Sequence, residues 1–220
     1  MTFVRNVTFA ACVALAGPAS AAVVVNGSFE QDPGTIGLYG NTFGSLATPG
    51  EPSWDIFTSL PGWTTKAGDG IEVQTAETIP LAPQDGNHYI ELDGNQNSSI
   101  SQTIALGVGH YLLSFWYSPR QTSTTTNEIS FGVSTLFLGG VNGPSAQYPI
   151  GVWTEVVREF VVTTAGNYNL FFDASSESDS YGGFIDNVQV ASVPLPAGGL
   201  LLIGAIGGLA ALRRRKTVTA

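Results

Sequence analysis

Glu91 and Asp93 stand two residues apart within the apparent strand His88 to Asp93, so an extended backbone places both carboxylates on one face. Two carboxylates on one face are the equipment of glycoside hydrolysis, in which one protonates the leaving oxygen and the other attacks or activates water. In a chain this acidic, alternating acids on an exposed strand face arise without any chemistry, so the pair is read as solvated and no catalytic residue is assigned. His88 and His110 lack the spacing of an HExxH metal site, no GxSxG nucleophile turn occurs, and the abundant serines and threonines have no evident base. The aromatic residues carry a stronger signal. A sugar ring offers an apolar face that stacks on an indole or phenol while neighbouring polar groups take its hydroxyls. The four tryptophans are Trp54, Trp63, Trp116 and Trp153. Trp116 shares a strand face with Leu112, Ser114 and Ser118, opposite Tyr111, Leu113 and Phe115, which makes it the leading ligand-binding candidate. Trp54 in a long loop and Tyr181 in an acidic loop are the others, and Trp63 is assigned to the core.

The elements that must position these residues read as strands. Tyr111, Leu113, Phe115 and Tyr117 alternate with Leu112, Ser114, Trp116 and Ser118, and Ile129, Phe131 and Val133 alternate with Ser130, Gly132 and Ser134. Segments of the same kind run from Ile71 to Thr75, His88 to Asp93, Ser99 to Ala105, Val152 to Thr163, Asn167 to Ala174 and Phe184 to Ala191, with Val23 to Val25 opening the set. Strands separated by Gly, Pro, Asn and Ser clusters, with no helical period between them, predict an all-β antiparallel sandwich. Asp32 to Gly62 reads as a functional loop or a locally disordered stretch. Pro119 to Asn127, Gly139 to Gly151 and Ser175 to Gly183 are the other connections where recognition is commonly placed.

Both ends of the 220-residue chain read as addresses. Arg5 precedes an apolar stretch from Phe9 to Ala16, and Ala19-Ser20-Ala21 offers a small-residue cut, so residues 1–21 form an export signal and Ala22 starts the mature body. The single cysteine, Cys12, leaves with that signal, so disulfides do not stabilise the body. At the other end Val193-Pro194-Leu195-Pro196-Ala197 leads into an apolar run from Ala197 to Leu212, closed by Arg213, Arg214, Arg215 and Lys216. Such a run with trailing cations predicts a membrane helix whose cations stay in the cytoplasm, which places the body on the far side. The body, 22–192, then carries Lys66, Arg120 and Arg158 against seventeen acids, a formal charge of −14. That charge repels phosphate backbones and argues against nucleic acid as a partner. At about 170 residues the body is one domain with a sizeable core.

The order of motif, glycine-containing helix and basic cluster across 193–216 resembles the PEP-CTERM sorting signals of Gram-negative bacteria, in the variant reading Val-Pro-Leu-Pro-Ala. The resemblance implies recognition by an exosortase-type transpeptidase, cutting near the prolines, and release to the cell surface or extracellular matrix; a permanent anchor facing the periplasm is the physical alternative. Residues 217–220 are a tail.

Within the body, Asn26-Gly27-Ser28-Phe29-Glu30, Pro61-Gly62-Trp63, Tyr89-Ile90-Glu91-Leu92, Ile100-Ser101-Gln102-Thr103 and Gly183-Phe184-Ile185-Asp186-Asn187-Val188 together resemble the galactose-binding-like jelly roll. That superfamily includes carbohydrate-binding modules. The resemblance implies that first and last strands lie side by side and that Glu30 and Asp186 are ligands of a structural calcium ion, chemistry suited to an acidic domain without disulfides. The alternative leaves Glu30 as a solvated strand-end acid and Asp186 bonding a turn. The function expected is polysaccharide binding at the cell surface; the alternatives are a structural or adhesive protein contacting other proteins and, less favoured, a glycan hydrolase using Glu91 and Asp93.

Overall fold

The computed structural model describes residues 23–193. The export signal, Pro194 to Ala197 of the sorting motif, the apolar run to Leu212 and Arg213 to Lys216 lie outside the described residues. Among the described residues no helix is long and apolar enough to cross a membrane.

Twelve strands form two antiparallel six-stranded sheets, the sandwich that the alternating pattern predicts. The first sheet runs in spatial order β1 (Trp54–Phe57), β4 (Ile71–Gln74), β5 (Tyr89–Glu91), β12 (Phe184–Ser192), β7 (Gly109–Ser118) and β10 (Thr154–Val162). The second runs β2 (Ser59–Leu60), β3 (Trp63–Ala67), β6 (Ser99–Leu106), β11 (Gly166–Ala174), β8 (Ile129–Val133) and β9 (Phe137–Val141). Successive side chains of a strand point to opposite faces, so Leu113, Phe115 and Tyr117 of β7 enter the core while Ser114 and Trp116 face outward. Phe115 meets Phe131 of β8 and Phe172 of β11 edge to face, at 4.7 and 5.0 Å between ring centres, which locks one sheet onto the other. Trp63 is buried against Phe29 and Phe172 and its indole N–H donates to the Asn26 carbonyl, which places it in the core as expected.

Two expectations are corrected. Val23 to Val25 is not a strand, because the Gln102 side-chain amide takes the place of a neighbouring strand: the Val25 N–H donates to Gln102 Oε1 at 2.6 Å and the Val25 carbonyl accepts from Gln102 Nε2 at 2.8 Å. The opening segment still lies against the last strand. The Val188 N–H donates to the Gly27 carbonyl at 2.8 Å, and a Cβ at Gly27 would stand 2.0 Å from the Val188 carbonyl oxygen, so only glycine permits this approach.

The segment from Asp32 to Gly62 is not one loop. It contains a 3₁₀ turn (Phe43–Ser45) and both β1 and β2, so Trp54 lies on a strand. Asp55 hides the pattern. This fully buried acid accepts from the N–H groups of Tyr39, Asn41 and Ile56 and from Asn41 Nδ2, which folds the preceding loop against β1 and puts a charge where an apolar residue would mark a strand.

Candidate functional site

Directly opposed residues of paired strands share a face, so the register of the first sheet assembles its outer surface. Glu72 of β4 lies opposite Glu91 of β5, and Glu91 opposite Phe184 of β12, which in turn faces Ser118 of β7. Two positions along, Trp54 faces Gln74 and Gln74 faces Tyr89. Part of this surface is a small second core: Tyr89 and Phe184 are buried with Leu81, and Ile79 and Trp153 pack against them. The Trp153 indole N–H donates to the Ala82 carbonyl at 2.7 Å and holds that covering segment down.

Beside this second core lies a cleft of about 220 Å³. Trp54 and Tyr181 line it together with Glu72, Arg120, Asn95 and Gly94. Trp54 is held edge-on by Tyr39, with ring centres 4.9 Å apart, and the Tyr39 hydroxyl donates to Asn95 Oδ1 at 2.6 Å. The Arg120 guanidinium lies 4.7 Å from the centre of the Tyr181 ring, a cation–π contact that positions the opposite wall. Gly94 lets the turn lie close to Glu72, since a Cβ there would stand 2.8 Å from Glu72 Oε2 and the carboxylate would have to shift.

Beneath these walls Gln74 Nε2 donates to Glu72 Oε1 at 2.6 Å and to Glu91 Oε2 at 2.5 Å, and Arg120 forms an ion pair with the same Glu91 oxygen. Burial pushes the Glu91 carboxyl well above the usual range, the Glu72 charge adds to this, and Arg120 and the Gly182 N–H oppose it. Glu72 is also pushed up by burial, against the hydrogen bond from Gln74 and the charge of Arg120.

The sequence expectation for Glu91 and Asp93 is corrected here. Neither is solvated: both are fully buried, and Asp93 lies beyond the end of β5. Each instead holds the loop that carries Tyr181. Asp93 accepts from the N–H groups of Asp179 and Ser180 at 2.8 and 3.1 Å and from the Ser178 hydroxyl, while Glu91 accepts from the Gly182 N–H at 2.5 Å. The carboxylate that lines the cleft is Glu72, which two-apart spacing did not single out.

Trp54 and Tyr181 are thus brought together, and Trp116 is not among the cleft residues. It is half-buried on the same outer face, opposite Asp186 of β12 and Glu155 of β10. Glu72 and Arg120 were missed, although two signals pointed to them. Glu72 and Gln74 are the polar half of the alternation in Ile71 to Thr75, and Arg120 is one of three cations in a body of seventeen acids.

Glu30 and Asp186 do converge, on the turn from Gln84 to His88. Glu30 accepts from the N–H groups of Asn87 and His88 at 2.8 and 2.7 Å, and its other oxygen meets His88 Nδ1 at 2.9 Å. Asp186 accepts from the N–H groups of Gln84, Asp85 and Asn187 at 2.8, 3.0 and 2.6 Å. Calcium needs oxygen ligands, and each of these carboxylates already accepts N–H donors from the turn beside it. Among the described residues no group of three or more His, Cys, Asp or Glu is placed to hold a metal. Burial outweighs the three N–H donors at Asp186 and pushes its carboxyl up to about 7.

No protein-family model and no curated protein matches the chain. Among solved structures it is similar to TmCBM61 in complex with beta-1,4-galactotriose, at 16% identity over 79% of this chain and 100% of that chain, with a TM-score of 0.49. It is similar to CBM4 at 16% identity over 77% of this chain and 99% of that chain, with a TM-score of 0.41. Arabinose-bound MgGH51 α-L-arabinofuranosidase matches at 13% identity over 80% of this chain and 27% of that chain, with a TM-score of 0.47.

Proposed function

We propose that this is an exported cell-surface or matrix protein whose sandwich holds polysaccharide in the cleft between Trp54 and Tyr181. One observation carries the reading: two aromatic side chains line a single cleft with a carboxylate, a guanidinium and an amide between them. That is the combination a sugar needs, apolar surface for its ring face and directional groups for its hydroxyls. The arrangement of the acids supports binding without cleavage. Hydrolysis needs two carboxyls flanking one bond, and here Glu72 lines the cleft while Glu91 is fully buried behind it on Arg120.

The test is binding to a panel of purified galactans, glucans, mannans and xylans. Trp54→Ala is expected to weaken the best of them by roughly 30-fold, the loss of about 2 kcal/mol that marks a central aromatic anchor. Trp116→Ala, outside the cleft, is the comparator and is expected to change affinity by less than about threefold. Equal losses for the two variants would move the site to the Trp116 face, and a wild-type protein that retains no glycan and self-associates would replace this reading with the structural one.

The address rests on the export signal, the Val193 to Ala197 motif, the apolar run and the four cations behind it. Intact mass spectrometry of protein recovered from cells is expected to show residues 1–21 removed and the chain cut near Pro194 to Ala197. A mature mass that retains the tail makes the helix a permanent anchor, and one that retains both ends rules out export.

A further inference from the structure

We infer that the cleft seats one uncharged sugar unit, the end of a glycan chain or a single-unit branch, and not the interior of an extended chain. This rests on the glycan reading above and narrows it by size, enclosure and charge.

Pockets for drug-sized ligands begin at about 300 Å³, and this cleft, at about 220 Å³, is smaller. Toward β12 the outer face is filled by the buried Leu81, Tyr89 and Phe184, with Ile79 and Trp153 packed against them, which bounds the cleft on that side. The walls are set in advance of any ligand, because Tyr39 braces both Trp54 and Asn95 while Arg120 braces Tyr181. Preformed walls lower the ordering cost of binding something small.

Within the cleft Glu72 offers an acceptor, and Asn95, whose Oδ1 accepts from Tyr39, carries an Nδ2 donor. An acceptor and a donor side by side match the hydroxyls of one sugar. Charge decides which sugar. The Glu72, Glu91 and Arg120 cluster has two acids for one cation, so it carries no excess positive charge whether or not one carboxyl keeps its proton. A uronate carboxylate entering it would find no uncompensated cation and would face the formal charge of −14 on the body.

The experiment is calorimetry of the full chain with D-galactose, D-glucose and D-mannose, with the β-1,4-linked trisaccharide of each, and with D-galacturonate and D-glucuronate. One neutral monosaccharide is expected to bind, its trisaccharide within about threefold of it, and the corresponding uronate at least about tenfold more weakly. Glu72→Gln, which keeps an acceptor for Gln74, is expected to narrow the gap between neutral sugar and uronate. A trisaccharide that binds while its monosaccharide does not would overturn the single-unit inference and leave the glycan reading standing. Equal binding of uronate and neutral sugar would overturn the charge argument. Absence of binding by any saccharide, free or polymeric, would instead overturn the glycan reading itself.

Discussion

Glu91→Ala is expected to lower unfolding free energy by about 3 kcal/mol, near the bottom of the roughly 3–5 kcal/mol range for breaking a buried ion pair. The carboxylate joins three groups from distant parts of the chain: the Gln74 amide, the Arg120 guanidinium and the Gly182 N–H. Its removal leaves the buried Gly182 N–H without its acceptor, takes the ion-pair partner from Arg120 and takes one of two acceptors from the Gln74 amide, which keeps Glu72. The loss stays at the lower end because the Arg120 side chain is 17% exposed and can turn outward, whereas Glu91 itself has no exposure. Arg120→Ala alone leaves a buried carboxyl without its cation, and because that carboxyl is already pushed upward by burial it answers by taking a proton. The two substitutions together are therefore expected to cost less than their sum, by about 1–3 kcal/mol of coupling. Urea unfolding of the four proteins measures this. A loss under about 1 kcal/mol for Glu91→Ala, or strict additivity, would mean that the pair contributes nothing as a pair. The same substitution frees the loop that carries Tyr181, so weaker glycan retention is expected alongside lower stability.

The second large effect is a dependence of stability on pH centred on Asp186. Its carboxyl titrates near 3.8 in the unfolded chain and at about 7 in the folded one. Between those values the native state keeps a proton that the unfolded chain has lost, so the native state is favoured by low pH. The contribution is complete below about pH 4 and is lost as pH rises through about 7, roughly 4 kcal/mol at about 1.4 kcal/mol per unit. Glu72 and Glu91 are shifted in the same direction and add to the same trend. Asp186→Asn has no proton to lose. It keeps one acceptor for the Gln84 to Asp85 turn and presents an amide to the Asn187 N–H, at a cost of about 1–3 kcal/mol. Unfolding free energies of the two proteins, measured from pH 4 to pH 7, are expected to converge and then cross, because only the wild type loses the Asp186 contribution, roughly 4 kcal/mol against a starting gap of about 1–3 kcal/mol. A constant gap across that range would show that Asp186 titrates as an ordinary carboxylate.

Much of the scaffold was legible from local pattern. Alternation in Tyr111 to Ser118 and Ile129 to Val133 predicts strands because a side chain's face depends only on the backbone period. The same reasoning passed over β1, where the buried Asp55 breaks the apolar alternation, and β9, where Gly139 and Gly140 leave too few side chains to show a pattern. It also took Val23 to Val25 for a strand, since three valines favour extended backbone whether or not a partner strand is available.

The site was legible in its parts and not in its assembly. Trp54 and Tyr181 stand out separately as ligand-binding candidates, one from a long loop and one from an acidic loop, and nothing in their spacing of more than a hundred residues places them on two sides of one cleft. Glu91 was noticed for its neighbour two residues away, whereas its functional neighbour is Glu72, brought opposite by the pairing of β4 with β5.

Composition and period-two alternation are local properties, so the strand-rich class, the absence of cysteine from the body, its strong negative charge and the aromatics at Trp54 and Tyr181 are legible in the residues alone. That Glu91 and Asp93 anchor a loop, that Glu72 and Arg120 line the cleft, and that Glu30 and Asp186 accept from N–H donors emerges only when the chain is folded. Those outcomes depend on sheet register, which is set by the packing of residues far apart in the chain, and a shift of one residue in that register would turn every side chain to the opposite face.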